Sequence, residues 1–303
     1  EYPGLSLQRG MLLEASGDFT KALEQFNGAL QKQPNDIDLK LRVGAAYVSI
    51  GEVEKALPLL KDVQRERPNS AEANHFLGRA YLKQGGIDQT TALRFLQRAV
   101  QLDPNKAEYH LYVAWAANES SQLGLARDEV DKALALDKQL ADAYWQRGVL
   151  ERKQAAVKDA IKDLKHALEL KPSRIEAHAA LAEAYEDSND TAGAMVEWQK
   201  AIGGNDKEPY WHWRYGKMLA VKNQNGDAAK HLAVAVEDGK KMQPRPAWVT
   251  LAAFEAGETQ RKTGQKNEAC ANYKFFIETA PPGSADRRDA TRAVAELACP
   301  SSD

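Results

Sequence analysis

A block of 34 residues recurs along the chain, and this recurrence limits the possible folds more than any other feature. The clearest copy is 37–70. Val43, Gly44 and Tyr47 lie on one face of a first helical pattern, and Gly51 opens a turn. Ala56, Leu60 and Val63 follow at helical spacing on a second pattern, which Pro68 closes. Two amphipathic helices of this length cannot bury their apolar faces alone. They need neighbours of the same kind, as in an array where each unit contacts the next.

The neighbours are present. The unit 71–106 carries Leu77, Gly78, Tyr81, Ala92, Leu96, Ala99 and Pro104. It is two residues longer, and Gly85-Gly86 marks the turn that takes up the excess. The remaining units read as 3–36, 107–140, 141–174, 175–208, 209–249 and 250–283, with a lone capping helix over 284–299 and Ser284 as its N-cap. The seventh unit is seven residues over length. Its second helix reads on through Lys241 until Pro244 and Pro246 stop it.

The order large–small–aromatic on the first helix, Ala–aromatic/Leu–Ala on the second, then Pro, resembles the tetratricopeptide repeat family. The resemblance covers nearly the whole chain. It implies an all-α, right-handed superhelical solenoid of about eight helix pairs plus a C-terminal capping helix. The signature is structural throughout, so it implies a fold and says little of function.

Charge and chemistry narrow the function. With 41 basic and 43 acidic residues the net charge is −2, whereas nucleic-acid binders usually carry a basic surplus. No nucleic-acid partner is therefore expected. No window approaches about 18 consecutive apolar residues, so direct membrane insertion is not expected. The chain begins at Glu1, and its first helix is in register at once, leaving Leu5 and Leu12 on an open end. This suggests a piece of a longer array, or an end covered by a partner. Phosphate-binding, dinucleotide and nucleophile-elbow motifs are missing. Of the six histidines, His110, His178 and His212 share the fourth position of their first helices, a periodicity that favours packing or a surface role over metal binding. No enzyme activity, cofactor or metal site is expected.

In tetratricopeptide arrays the first helices line a concave face, and helical spacing points positions 2, 5, 9 and 12 into it. The aromatics there are Trp115, Trp145, Tyr210, Trp213 and Phe254; polar neighbours include His75, Arg79, Asn118, Arg152 and Lys217. For each tryptophan singly, packing against a neighbouring helix is the alternative. Three at groove positions, where the repeat does not demand them, favour binding. The carboxylate clamp by which relatives grip acidic chaperone tails needs Lys and Asn where this chain has Leu41–Ala45, His75–Arg79 and Leu111–Trp115, so that clamp is absent. The leading expectation is a non-enzymatic scaffold holding a protein or peptide partner, in assembly of a larger complex. A regulatory or substrate-docking region of a larger enzyme is the alternative, and an array stacking end to end is a third reading.

Cys270 and Cys299 are the only cysteines, and both fall in the last 34 residues. Helices running antiparallel from a turn near Pro281 leave an axial mismatch of roughly 7 Å between them. A disulfide is expected, which favours an extracytoplasmic location, periplasmic or secreted, over the cytoplasm.

Overall fold

The computed structural model describes residues 3–85 and 89–300. Gly86, assigned to the turn of the third unit, lies outside them. Seventeen helices and no strand are found among the described residues. Eight successive pairs are α1 (Pro3–Ala15) with α2 (Phe19–Lys32), α3 (Ile37–Ile50) with α4 (Val53–Glu66), α5 (Ala71–Gln84) with α6 (Gln89–Leu102), α7 (Ala107–Glu119) with α8 (Leu123–Leu136), α9 (Ala141–Lys153) with α10 (Val157–Leu170), α11 (Ile175–Asp187) with α12 (Thr191–Gly204), α13 (Pro209–Val221) with α14 (Asn225–Gly239), and α15 (Trp248–Lys262) with α16 (Lys266–Thr279). The last helix is α17 (Ala285–Glu296). The chain divides into two compact units, Glu1–Gln154 and Ala155–Asp303, so α9 ends the first and α10 begins the second.

In several pairs that lie within one unit the packing follows from one small and one large residue. Leu60 on α4 and Leu96 on α6 are fully buried. Each lies so close to a glycine of its first helix that an added Cβ would meet it: at 2.7 Å from Leu60 for Gly44, and 2.6 Å from Leu96 for Gly78. In the second unit Tyr273 blocks Gly257 in the same way, at 2.8 Å. Glycine lets the backbones approach, and the large side chain fills the space that approach creates.

Among the described residues, the turn inside each pair holds one residue at positive φ. It is Gly17, Gly51, Gly85 or Gly264 in four pairs, and Ser121, Ala155, Asn189 or Asn223 in the other four. Around Ser121 the Gln122 N–H bonds to Ala117 O at 2.8 Å and the Ser121 N–H to Asn118 O at 3.1 Å. These paired bonds satisfy carbonyls that a helix end leaves open. The first-helix starts are capped where the residue allows: Asp36 Oδ1 accepts from the Asp38 and Leu39 amides, and Ser70 Oγ from Ala73.

The seventh pair differs from the sequence reading. Helix α14 ends at Gly239, not Lys241, and Lys240 and Lys241 form a turn. Helix α15 begins at Trp248, ahead of the expected start at Thr250. Close packing of Gly239 under Val249, where a Cβ would lie 2.7 Å from Val249 Cγ2, brings the two ends together.

At the C-terminus Ser284 caps α17 by accepting from the Arg287 amide. The helix stops at Glu296, short of Cys299. Ala298 takes φ 46°, and the Cys299 N–H bonds back to Val294 O at 3.1 Å. This reversal turns the chain back, and Cys270 and Cys299 form a disulfide with their Cα atoms 5.6 Å apart. The axial mismatch anticipated from two straight helices is taken up by the non-helical end.

Two outcomes are expected. Ser121→Gly should raise the unfolding free energy by about 1 kcal/mol, because glycine removes the steric cost of the left-handed conformation; an unchanged urea midpoint would contradict this. Replacing both cysteines with serine releases a crosslink spanning 29 residues. In the chain-entropy model this loses roughly 3–4 kcal/mol. Amide exchange in α17 should then rise while α3–α8 are unaffected.

Candidate functional site

In the first unit an aromatic run crosses α5, α7 and α9. The His75 ring packs on Tyr109 at 4.5 Å between centroids, and against Phe76 and Tyr112. Tyr112 lies nearly parallel to Trp115 at 5.8 Å, and Trp115 meets Trp145 edge-on at 5.4 Å with an interplanar angle of 82°. Trp115 and Trp145 are half-buried and line an open cleft of about 370 Å³ together with Glu108, Leu111, Tyr112, Asp137, Leu140 and Asp142. Arg79 lies over the Tyr112 ring at 4.3 Å and donates to Glu108 Oε1 at 3.1 Å.

Not every expected groove residue reaches that surface. His75 is 1% exposed beneath Tyr109 and Tyr112, so no partner can contact it. Burial pushes its pKa down. Asn118 is buried and accepts from Lys153 Nζ at 2.7 Å, tying α7 to α9. Arg152 is half-buried on α9.

In the second unit Tyr210, Trp213 and Trp248 form a closed cluster. Trp213 stacks on Trp248 at 5.5 Å, and Tyr210 packs edge-on to both. Trp213 is 9% exposed, and its indole N–H donates to Glu255 Oε2 at 2.7 Å. Burial raises the Glu255 pKa, and Lys217 Nζ at 3.4 Å opposes that rise. Lys217 is exposed. Arg214 donates to Tyr210 Oη at 2.8 Å and also contacts Glu186, which accepts from Trp198 Nε1. Phe254 is half-buried against Phe276 at 4.9 Å and forms one wall of a polar cleft with Glu258, Arg261, Asp289, Arg292 and Glu296. Trp213 is thus a core residue rather than a groove residue.

Sequence reasoning missed Tyr112, Glu108, Asp142 and Trp248. Glu108 and Asp142 hold the second position of their helices, which the groove rule already included. Trp248 lies in the over-length end of the seventh unit, past Pro244 and Pro246. Among the described residues no group of three or more His, Cys, Asp or Glu side chains is placed to hold a metal ion, and no helix is long and apolar enough to cross a membrane.

Residues 13–74 match the tetratricopeptide repeat family model. Residues 13–74 thus carry tetratricopeptide repeats. Solved structures share this fold. PilF of Pseudomonas aeruginosa aligns at 19% identity over 75% of this chain and 99% of its own, with a TM-score of 0.64. The APC/C hetero-tetramer Cut9–Hcn1 aligns at 15% identity over 96% of this chain and 55% of its own, with a TM-score of 0.73. YrrB, a tetratricopeptide protein with an unusual peptide-binding site, aligns at 19% over 65% and 97%, with a TM-score of 0.53. At these identities the likeness is one of fold. No curated protein matches the chain.

The tetratricopeptide units also explain the periodic histidines. His110 places Nδ1 2.6 Å from Glu129 Oε2 on the second helix of its pair, and Nε2 2.9 Å from Pro104 O in the preceding turn. His178 repeats this with Glu197 and Pro172 O. In the third pair of this kind, His212 Nε2 meets Asp206 O at 3.1 Å and Nδ1 meets His231 Nδ1 at 2.9 Å. A carbonyl only accepts, so His212 Nε2 carries a proton and its neutral Nδ1 accepts from His231. Protonating both rings would set two N–H donors face to face.

Burial is the main cause that pushes both His212 and His231 below the ordinary histidine value, and for His231 the charge of His212 adds to it. Unfolded, each titrates near 6.5. Between the depressed folded value and about 6.5 the unfolded chain binds more protons, so stability in this window rises with pH. It is fully present above about 6.5 and is lost as pH falls toward the folded values. Amide protection in α13 and α14, corrected for intrinsic exchange, should therefore fall between pH 7 and pH 5. His231→Asn should flatten that fall, and a wild-type profile already flat would refute the assignment.

Proposed function

We propose that this chain is a non-enzymatic scaffold that holds a peptide segment or small partner domain on the aromatic surface of its first helices, within a larger complex. The observation that carries this reading is the pair Trp115 and Trp145, half-buried at right angles along an open cleft. The repeat itself does not require aromatics there: the ninth residue of α3 is Ala45 and its fifth is Leu41. Partly exposed tryptophans supply large contact area at little conformational cost, which is why they concentrate in binding hot spots. YrrB has a peptide-binding site on the same fold. The near-balanced charge also supports a protein or peptide partner over nucleic acid.

The test compares affinity capture by the wild-type chain with Trp115→Ala/Trp145→Ala, followed by mass spectrometry. Proteins retained only by the wild type are expected. Circular dichroism and thermal melting check that the variant remains folded. Identical captured sets would overturn the reading. Trp213→Ala is a poor probe, because removing a buried indole costs roughly 3–5 kcal/mol of stability in its own right.

A further inference from the structure

We propose that a pocket between α4 and α6, beside the start of α5, binds a glutamate or aspartate side chain of an acidic peptide. It shares no lining residue with the indole cleft, so it is a second surface and goes beyond the scaffold reading above. The first observation is charge. Helix α6 has no Asp or Glu, whereas every other second helix has at least one. Its Arg94 and Arg98 lie four residues apart, neighbours on one helix face, where like charges repel. Both line the pocket, which has a volume of about 390 Å³, and no carboxylate lines it with them. Among the described residues neither arginine makes an ion pair. The repulsion thus stands uncompensated in the free protein, and a bound anion relieves it.

The second is order. Arg98 donates from Nη1 to Gln101 Oε1 at 3.3 Å and from Nη2 to Asn69 Oδ1 at 2.8 Å. These neutral acceptors hold the guanidinium in place and leave its charge uncancelled. Arg94 rests over the Phe95 ring at 5.1 Å, and Phe95 stacks on Tyr81 at 5.8 Å. A ring face holds a guanidinium without using the N–H donors at its edge. Side chains already ordered lose less freedom when a ligand arrives.

The third is the set of neutral groups. Gln64 and Gln97 also line the pocket, and neither has a hydrogen-bond partner among the described residues. Each carboxamide offers both a donor and an acceptor. A peptide group matches both. A phosphate ester dianion offers acceptors alone and leaves the carboxamide oxygens unmatched. An acidic residue within a peptide therefore suits the whole pocket: its carboxylate accepts from the arginines, which favour forked bonding to it, and its backbone meets the glutamines.

The experiment is fluorescence anisotropy with the full chain and two labelled probes, Gly-Glu-Gly-Glu-Gly-Glu-Gly and its neutral glutamine counterpart, with inorganic phosphate as competitor. The glutamate probe is expected to bind, more weakly as salt is added, with affinity for the glutamine probe lower by roughly 10-fold or more. Arg94→Gln/Arg98→Gln should weaken binding of the glutamate probe several-fold, with unaltered thermal melting. Lys21→Gln/Lys230→Gln removes the same charge from exposed sites on α2 and α14 and should leave the affinity as it was. Failure of the glutamate probe to bind at millimolar concentration overturns the proposal, as does equal binding of the two probes or an equal loss in the lysine variant. Displacement of the probe by phosphate at concentrations below those of the peptide itself overturns the peptide assignment in favour of a phosphate site. If the arginine variant binds the glutamate probe as the wild type does, this pocket is not the site, and the scaffold reading at the indole cleft is untouched.

Discussion

The fit of one large side chain into the gap over one small residue underlies this structure. Gly44 under Leu60 and Gly78 under Leu96 bring two helices closer than ordinary side chains permit, and the same contact recurs as Gly257 under Tyr273. An isolated pair made this way still exposes an apolar flank. The next pair covers it, so the core forms as clusters that span neighbouring pairs, such as Leu60, Val63, Leu77 and Ala80. Each pair's stability is thereby partly its neighbour's. The left-handed turn residue serves the same contact, because it reverses the chain within a few residues and holds the second helix against the first. A looser turn would let the two helices slide apart.

Close packing leaves polar groups to satisfy, and the histidine at the fourth position of α7, α11 and α13 does this for two at once. One ring nitrogen reaches the carbonyl of the turn behind it, and the other reaches the second helix of its own pair. In α5 the place is taken by Asn74, whose amide donates to Pro68 O at 3.0 Å. The common requirement is a donor aimed at that carbonyl. A buried carbonyl without a partner would destabilise by about 1–3 kcal/mol. These side chains therefore fasten the handover between successive repeats. The period alone leaves packing or a surface role open for these histidines, and the hydrogen bonds explain why such a period exists.

The helix pairs were legible from residue order because small, large and turn residues recur at fixed offsets. Exposure was not legible in the same way. The rule that positions 2, 5, 9 and 12 face the groove gives a direction from the helix axis, and says nothing of what comes to lie over it. His75 points as expected but is roofed by Tyr109 and Tyr112 of the next first helix. Trp213 points as expected but is covered by Trp248, because α15 begins earlier than the period implies and carries that ring onto it. The stop of α14 at Gly239 was hidden for a related reason. Its cause is a contact with Val249 across the loop, which local sequence does not encode.

In the cleft of α7 and α9 the acids have a structural reason to be there. Glu108 and Asp142 sit in the first turn of their helices, where a negative charge interacts favourably with the helix dipole, worth about 0.3–1 kcal/mol. Asp137 closes the turn that ends α8. The acids at the cleft are thus already favoured by the secondary structure they begin or end, and Glu72 and Asp38 hold the equivalent first-turn places in α5 and α3. What sets this cleft apart is the pair of indoles at right angles, since the corresponding positions of α3 are the small or aliphatic Ala45 and Leu41. The acids alone explain themselves as helix ends. Only their combination with partly exposed tryptophans goes beyond what the repeat needs, and the scaffold proposal rests on that excess over structural need.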